Sequence, residues 1–174
     1  MNLRPTQLAD IPFILAAESH IDNASYVTQC SKAWHEMAIA SADYAHFVVE
    51  RTADSDRTAN NQTNSHQTDT ATALGYTILA GIQSPHRSLE IRRIVVLEKG
   101  QGHGRKILRW IKAFTFEQLG HHRLWLDVLE SNRRAKHLYE SEGFVTEGVI
   151  REGFKTKTGY ESMILMSILE SEYS

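Results

Sequence analysis

Seven residues, Lys99-Gly100-Gln101-Gly102-His103-Gly104-Arg105, put three glycines at alternate positions after the β-branched run Ile94-Val95-Val96. An amphipathic helix opens near Arg105. Alternate glycines at a strand-to-helix turn leave backbone N–H groups free to converge on an anion, with the positive end of a helix dipole behind them. Glycine also removes the Cβ that would block close approach of a ligand. This turn suits a pyrophosphate. Two common ligand loops fail on spacing. Counted from Gly100, a dinucleotide fingerprint needs a third glycine at position 105, where Arg105 stands, and no Gly-Lys-Ser/Thr tripeptide supplies a Walker A loop. For this segment taken alone, a glycine-rich turn without a ligand is the competing account.

The elements around the turn follow from periodicity. Ile107, Leu108, Ile111, Phe114 and Leu119 share one helical face, and Gly120 stands where a helix stop belongs. Leu124, Leu126 and Val128 alternate as in a strand buried on one face. Ser131 or Asn132 can cap a further helix carrying Ala135, Leu138 and Tyr139, stopped by Gly143 before a strand at Phe144-Val145. The predicted order is strand, glycine loop, helix, strand, helix, strand. In the first of these strands Leu89 and Ile91 fall on one phase, and Ile94 and Val96 on the other. One extra residue across Arg92-Arg93, a β-bulge, flips the phase in this way. A strand buried on both faces near its end gives the same pattern.

The segment from Lys99 to Gly104 resembles motif A of the GCN5-related N-acetyltransferases, Gln/Arg-x-x-Gly-x-Gly/Ala, with Lys99 where Gln or Arg is usual. Asn132-x-x-Ala135-x-x-Leu138-Tyr139-Glu140-x-x-Gly143-Phe144 matches motif B in full. The ending, from Ile150-Arg151-Glu152 to Met163-Ile164-Leu165-Met166-Ser167-Ile168-Leu169, is similar to the branch with ribosomal-protein N-terminal and polyamine acetyltransferases. Leu3-Arg4-Pro5 is compatible with the family's first strand.

The resemblance implies an α/β fold: a mixed, mostly antiparallel sheet flanked by helices, with two central parallel strands splayed by the bulge. It implies acetyl-CoA as co-substrate, its pantetheine arm between those strands against the main chain of Ile94, Val95 and Val96. The pyrophosphate falls to the loop amides of Lys99, Gly100, Gln101, Gly102, His103 and Gly104. Arg105 and Lys106 can add charge there, although two solvated residues on a first helical turn look the same. Asn132 can touch the cofactor as well as cap its helix.

An amine attacking a thioester needs to be neutral, needs a polarised carbonyl, and leaves a thiolate that needs a proton. A free backbone N–H beside the bulge, that of Val95, can serve the oxyanion. On the resemblance, Tyr139 protonates the sulfur, since a phenol with a pKa of about 10 holds its proton at neutral pH. Glu90 stands where several family members place a base; an exposed strand glutamate without a role is the alternative. An α-amine with a pKa near 8 is about a quarter neutral at pH 7.5, whereas a lysine-type amine is only about 0.1% neutral, so the second gains more from a base.

At 174 residues the chain suits one domain, 1–174, with a single core. A polar stretch at 52–72 lies between strand-like segments (His46-Phe47-Val48-Val49-Glu50 and Leu74-Gly75-Tyr76-Thr77-Ile78-Leu79) and reads as a mobile hairpin-loop insertion. A net charge of −2 offers no general attraction to nucleic acid or anionic membrane, which argues against an acceptor on tRNA. No run approaches the roughly 18 apolar residues of a membrane span. Cys30 is the single cysteine, so no intrachain disulfide can form and a cytoplasmic setting is expected. His35-Glu36 starts a zincin-like pattern that fails at Ile39, and His121-His122 lack acidic or cysteine companions; no metal is expected.

The residues thus point to transfer of an acetyl group to a primary amine in a ternary complex. A catalytically silent CoA-binding sensor or interaction module is the alternative. The acceptor stays open among N-terminal peptides, polyamines, amino acids and aminoglycosides. Residues 13–44 and 152–162 are expected to shape its pocket. The apolar C-terminal strand offers a surface for a homodimer.

Overall fold

The structure, a computed structural model, describes residues 1–51 and 72–173. Apart from Thr72, the expected insertion at 52–72 lies outside the described residues. The strands are β1 (Asn2–Pro5), β2 (Tyr44–Glu50), β3 (Ala73–Ala80), β4 (Ser88–Val96), β5 (Arg123–Leu129), β6 (Val145–Lys155) and β7 (Tyr160–Leu169). The helices are α1 (Ile11–Ser19), α2 (Lys32–Ala40), α3 (His103–Ala113) and α4 (Arg133–Ser141). Among the described residues, these seven strands join one sheet in the order β1-β2-β3-β4-β5-β7-β6. Only β4 and β5 run parallel. The mixed, mostly antiparallel sheet expected from the sequence is present.

Two core layers cover its faces. Leu89, Ile91, Leu124, Leu126 and Met166 pack on one face with Ile107, Leu108 and Ile111 of α3, and Ala135, Leu138 and Tyr139 of α4 lie against this layer. Fully burying each such aliphatic chain stabilises the fold by roughly 1.5–3 kcal/mol. On the other face, Ile14 and Ala17 of α1 meet Tyr76, Ile78 and Val95, with Trp34 of α2 beside them. Pro12 fits the first turn of α1, where its missing N–H costs nothing. Ser31 caps α2 by accepting from Trp34 N at 3.2 Å.

Two expectations need correction. The helix predicted to reach Leu119 is regular only to Ala113; a π-helical turn, Phe114–Gln118, carries it on, with Leu119 N bonded to Phe114 O at 3.0 Å. Thr115 Oγ1 donates to Ile111 O at 2.7 Å, a side-chain bond that competes with the helical ladder. The wider turn puts Phe116 in the core. The C-terminal strand is also unavailable for pairing across a dimer, because β5 and β7 pair along one of its edges and β6 and β7 along the other. The free edge on that side of the sheet is β6.

Candidate active site

β4 and β5 pair only at Ser88↔Arg123, Leu89↔Leu124 and Glu90↔Trp125, and then separate. The cause lies on the other edge of β4. Its register with β3 passes from Ile78↔Arg93 to Leu79↔Ile91, leaving Arg92 without a partner residue. This is the bulge that the apolar phase change indicates, and it bends the strand away from β5. Leu97 N then bonds Leu74 O at 2.9 Å. By the alternation of an antiparallel ladder, Val95, opposite Tyr76, spends its N–H and C=O on β3, while Ile94 and Val96 turn theirs toward the opening. Ile94 and Val96 line the cleft; Val95 is buried against the α1 side. Gly75 permits the close approach of β3 here, since a Cβ on it would lie 2.1 Å from Val95 O.

The cleft has a volume of about 1130 Å³. One end is the glycine turn. Gly102 caps α3 in the left-handed region (φ 74°), and Gly100 also has positive φ (82°). Lys106 N bonds Gly102 O at 3.2 Å, which leaves the amides of the preceding turn open, as at any helix start. His103 lines the cleft with a buried Nδ1 that has no hydrogen-bond partner among the described residues. These are features a phosphate group would use. Lys99, Gly100, Gly102, His103, Gly104, Arg105 and Asn132 all line the cleft, whereas Gln101 and Lys106 are exposed outside it. The Arg105 guanidinium is engaged with Glu142, and its Nη2 donates to Ser141 Oγ at 3.0 Å. Asn132 Oδ1 accepts from Ala135 N at 3.2 Å, the expected cap of α4.

At the opposite end the cleft holds Tyr139, Glu90 and Asp127. Burial pushes the Tyr139 phenol up to about 12, with the Asp127 charge adding to it. Its hydroxyl makes no hydrogen bond among the described residues, and the ring rests on Phe144 with centroids 5.9 Å apart. Burial also raises Glu90 above the ordinary carboxylate range; Arg92, 3.5 Å away, pulls it back, and Asp127 pushes it up again. Asp127 is itself raised by burial against the pull of Arg92. The sequence analysis assigns Asp127 no role. The signal was there: opposite phase to Leu124, Leu126 and Val128 points it off the α3 face.

Of the acidic residues in 13–44 and 152–162, Asp22 reaches the cleft. Glu36 pairs with Lys32, Asp43 accepts from Gln83 N, and Glu161 accepts from Ser131 N. The facing wall is built by residues 21–28, and Lys99 Nζ reaches across to bond Asn23 Oδ1. Among the described residues no group of three His, Cys, Asp or Glu side chains is placed to hold a metal, and no helix is long and apolar enough to cross a membrane.

The family model for the acetyltransferase (GNAT) family matches residues 28–144, about two thirds of the chain. The chain belongs to the GNAT family. Among curated proteins, a spermidine N(1)-acetyltransferase of Vibrio cholerae is 36% identical over 101 residues, 58% of this chain and 58% of that protein. The corresponding protein of Escherichia coli K12 is 29% identical over 100 residues, 57% and 54% of the two chains. These matches thus span a little over half the length of the curated relatives. A crystal structure of spermidine N-acetyltransferase from Vibrio cholerae with CoA and spermine superposes with a TM-score of 0.81 at 26% identity, covering 99% of this chain and 96% of that one.

Proposed function

We propose that this protein transfers the acetyl group of acetyl-CoA to a primary amine of a polyamine by direct attack in a ternary complex. The observation that carries the reading is the coincidence of three features in one cleft. Free strand amides stand between β4 and β5, an open helix start lies at one end, and a proton-holding phenol with two carboxylates lies at the other.

In this reading Ile94 and Val96 pair with the pantetheine amides, and the loop amides from Gly100 to Gly104 hold the pyrophosphate. The acceptor reaches the site as an ammonium, because a primary alkyl amine is only about 0.1% neutral near pH 7.5. Glu90 and Asp127 attract that cation, and Glu90 takes its proton, directly or through a water. The freed nitrogen forms a bond to the thioester carbon. A strand amide beside the bulge, that of Ile94 or Val96, faces the resulting oxyanion. As the tetrahedral centre collapses the C–S bond breaks, the new amide nitrogen loses its second proton to solvent, and Tyr139 gives its proton to the leaving thiolate. The phenol recovers a proton from solvent.

The polyamine class rests on the acidic pair at the cleft's end together with the spermidine acetyltransferases that the chain resembles. It is tested by thiol release from acetyl-CoA with spermidine, a monoamine and an N-terminal peptide. Turnover highest with spermidine supports it; selective turnover of the peptide replaces the acceptor class and keeps the reaction.

A further inference from the structure

Glu18 is a carboxylate with no exposed surface, set outside the cleft on the last turn of α1. Four elements converge on it. Tyr76 Oη of β3 donates to Oε1 at 2.7 Å, and Arg93 Nη1 of β4 donates to the same oxygen at 2.5 Å. Cys30 N, at the end of the α1–α2 connection, donates to Oε2 at 2.9 Å. His35 Nε2 of α2 stands 3.2 Å from Oε1, outside hydrogen-bond alignment. Burial by itself would raise the Glu18 carboxyl; these contacts outweigh it and hold the group below its ordinary value, as an anion.

A buried ion pair brings little net stability, since desolvation offsets most of its attraction. Position is what such a cluster fixes. Arg93 is the first residue after the bulge and lines one wall of the cleft. Its guanidinium lies 6.0 Å over the Trp34 ring, and its Nη1 also approaches Cys30 Sγ at 3.4 Å. Cys30 ends the segment whose residues 21–28 form the facing wall. One carboxylate therefore bonds both walls. A second layer backs it: His35 Nδ1 lies 3.2 Å from His46 Nε2, and His46 Nδ1 lies 2.9 Å from Thr6 Oγ1.

We propose that Glu18 is a positioning residue that sets the width of the cleft by bonding Arg93 on one wall and the Cys30 amide on the other. The Ile94 and Val96 amides, one and three residues beyond Arg93, are held in register as a result. The consequence for catalysis rests on the acetyl-CoA reading above; the geometric claim does not.

The test compares wild type, Glu18→Gln and Arg93→Lys. Amide hydrogen exchange on ligand-free protein reads the positioning whatever the cofactor proves to be. Exchange of the Val95 amide, which bonds β3, is expected to accelerate at least tenfold in Glu18→Gln, with residues 124–128 unchanged. Arg93→Lys, which keeps the charge and one donor, falls between the two. In steady state, kcat/KM for acetyl-CoA drops at least tenfold in Glu18→Gln while KM for the amine stays within twofold. If Glu18→Gln does not fold, Arg93→Lys carries both readouts. Exchange that is unchanged at Val95, or accelerated equally across the sheet, overturns the proposal. So does kcat/KM for acetyl-CoA within twofold of wild type in a folded variant.

Discussion

Glu90 pairs with Trp125 in the last rung of the parallel β4–β5 ladder, and beyond that rung the two strands part. The residue assigned as base therefore stands at the apex of the opening, where burial raises its carboxyl toward neutrality. Two residues further along β5, Asp127 reinforces that shift, and the same charge helps to keep the Tyr139 phenol protonated. The proposed base and the proposed acid share one charged neighbour.

Tyr139→Phe removes the proton donor and little else, because the hydroxyl makes no hydrogen bond among the described residues. Turnover should fall by about 10²-fold or more, in the range of general acid catalysis, with acetyl-CoA affinity unchanged by calorimetry. Turnover at the wild-type level would remove Tyr139 from the mechanism.

The proposed base Glu90 works only when deprotonated, so the rate should rise with pH through a carboxylate value lying above the ordinary one. Glu90→Gln should abolish that limb of the pH–rate profile. Asp127→Asn should move the limb to lower pH, because the neighbouring charge that raises Glu90 is gone. It should also raise KM for a polyamine more than for a monoamine. An unshifted limb in Asp127→Asn would separate the two carboxylates.

Acid should weaken the fold in two phases. Burial depresses His46 to about 4 from its ordinary value of 6.5. Between these values the unfolded chain binds a proton that the folded chain refuses, so stability increases with pH across that window. The neutral-pH advantage, about 3 kcal/mol by linkage, is progressively lost as pH falls from 6.5 to 4. Glu142, drawn down to about 2 by Arg109, Arg105 and Lys112 against the cost of burial, loses its share only below the ordinary carboxylate value. Chemical denaturation at pH 7, 5.5 and 4.5 should show the first phase, and His46→Gln should flatten it.

Gly102→Ala forces a Cβ into the left-handed region at the cap of α3. Nothing crowds that Cβ, so the cost is conformational, about 1–2 kcal/mol. The thermal midpoint should fall accordingly, and acetyl-CoA binding should weaken beyond what that loss explains if the turn shifts. Unchanged binding would show that the turn does not hold the ligand.

Local chemistry made much of this legible before any coordinates. The bulge at Arg92 shows in the phase of Leu89, Ile91, Ile94 and Val96, since one inserted residue inverts every later side chain. The glycine turn and the Asn132 cap are equally local. What escaped depends on partners distant in the chain. The Glu18–Arg93 bond spans 75 residues and joins two charges that periodicity gives no reason to bury. Asp127 could be assigned a face but not a cleft, because the splay that exposes it is set by β3 pairing with β4. Proximity to the bulge points to Val95 for the oxyanion; ladder alternation, which needs the register, gives that orientation to Ile94 and Val96 instead.

The central claim is acetyl transfer to a polyamine, and the direct measurement is thiol release from acetyl-CoA with spermidine, wild type beside Tyr139→Phe. The account predicts saturable release with mass gain on spermidine, reduced by about 10²-fold or more in the variant. Saturable acetyl-CoA binding with no transfer to spermidine or any other amine would contradict it and leave a binding module.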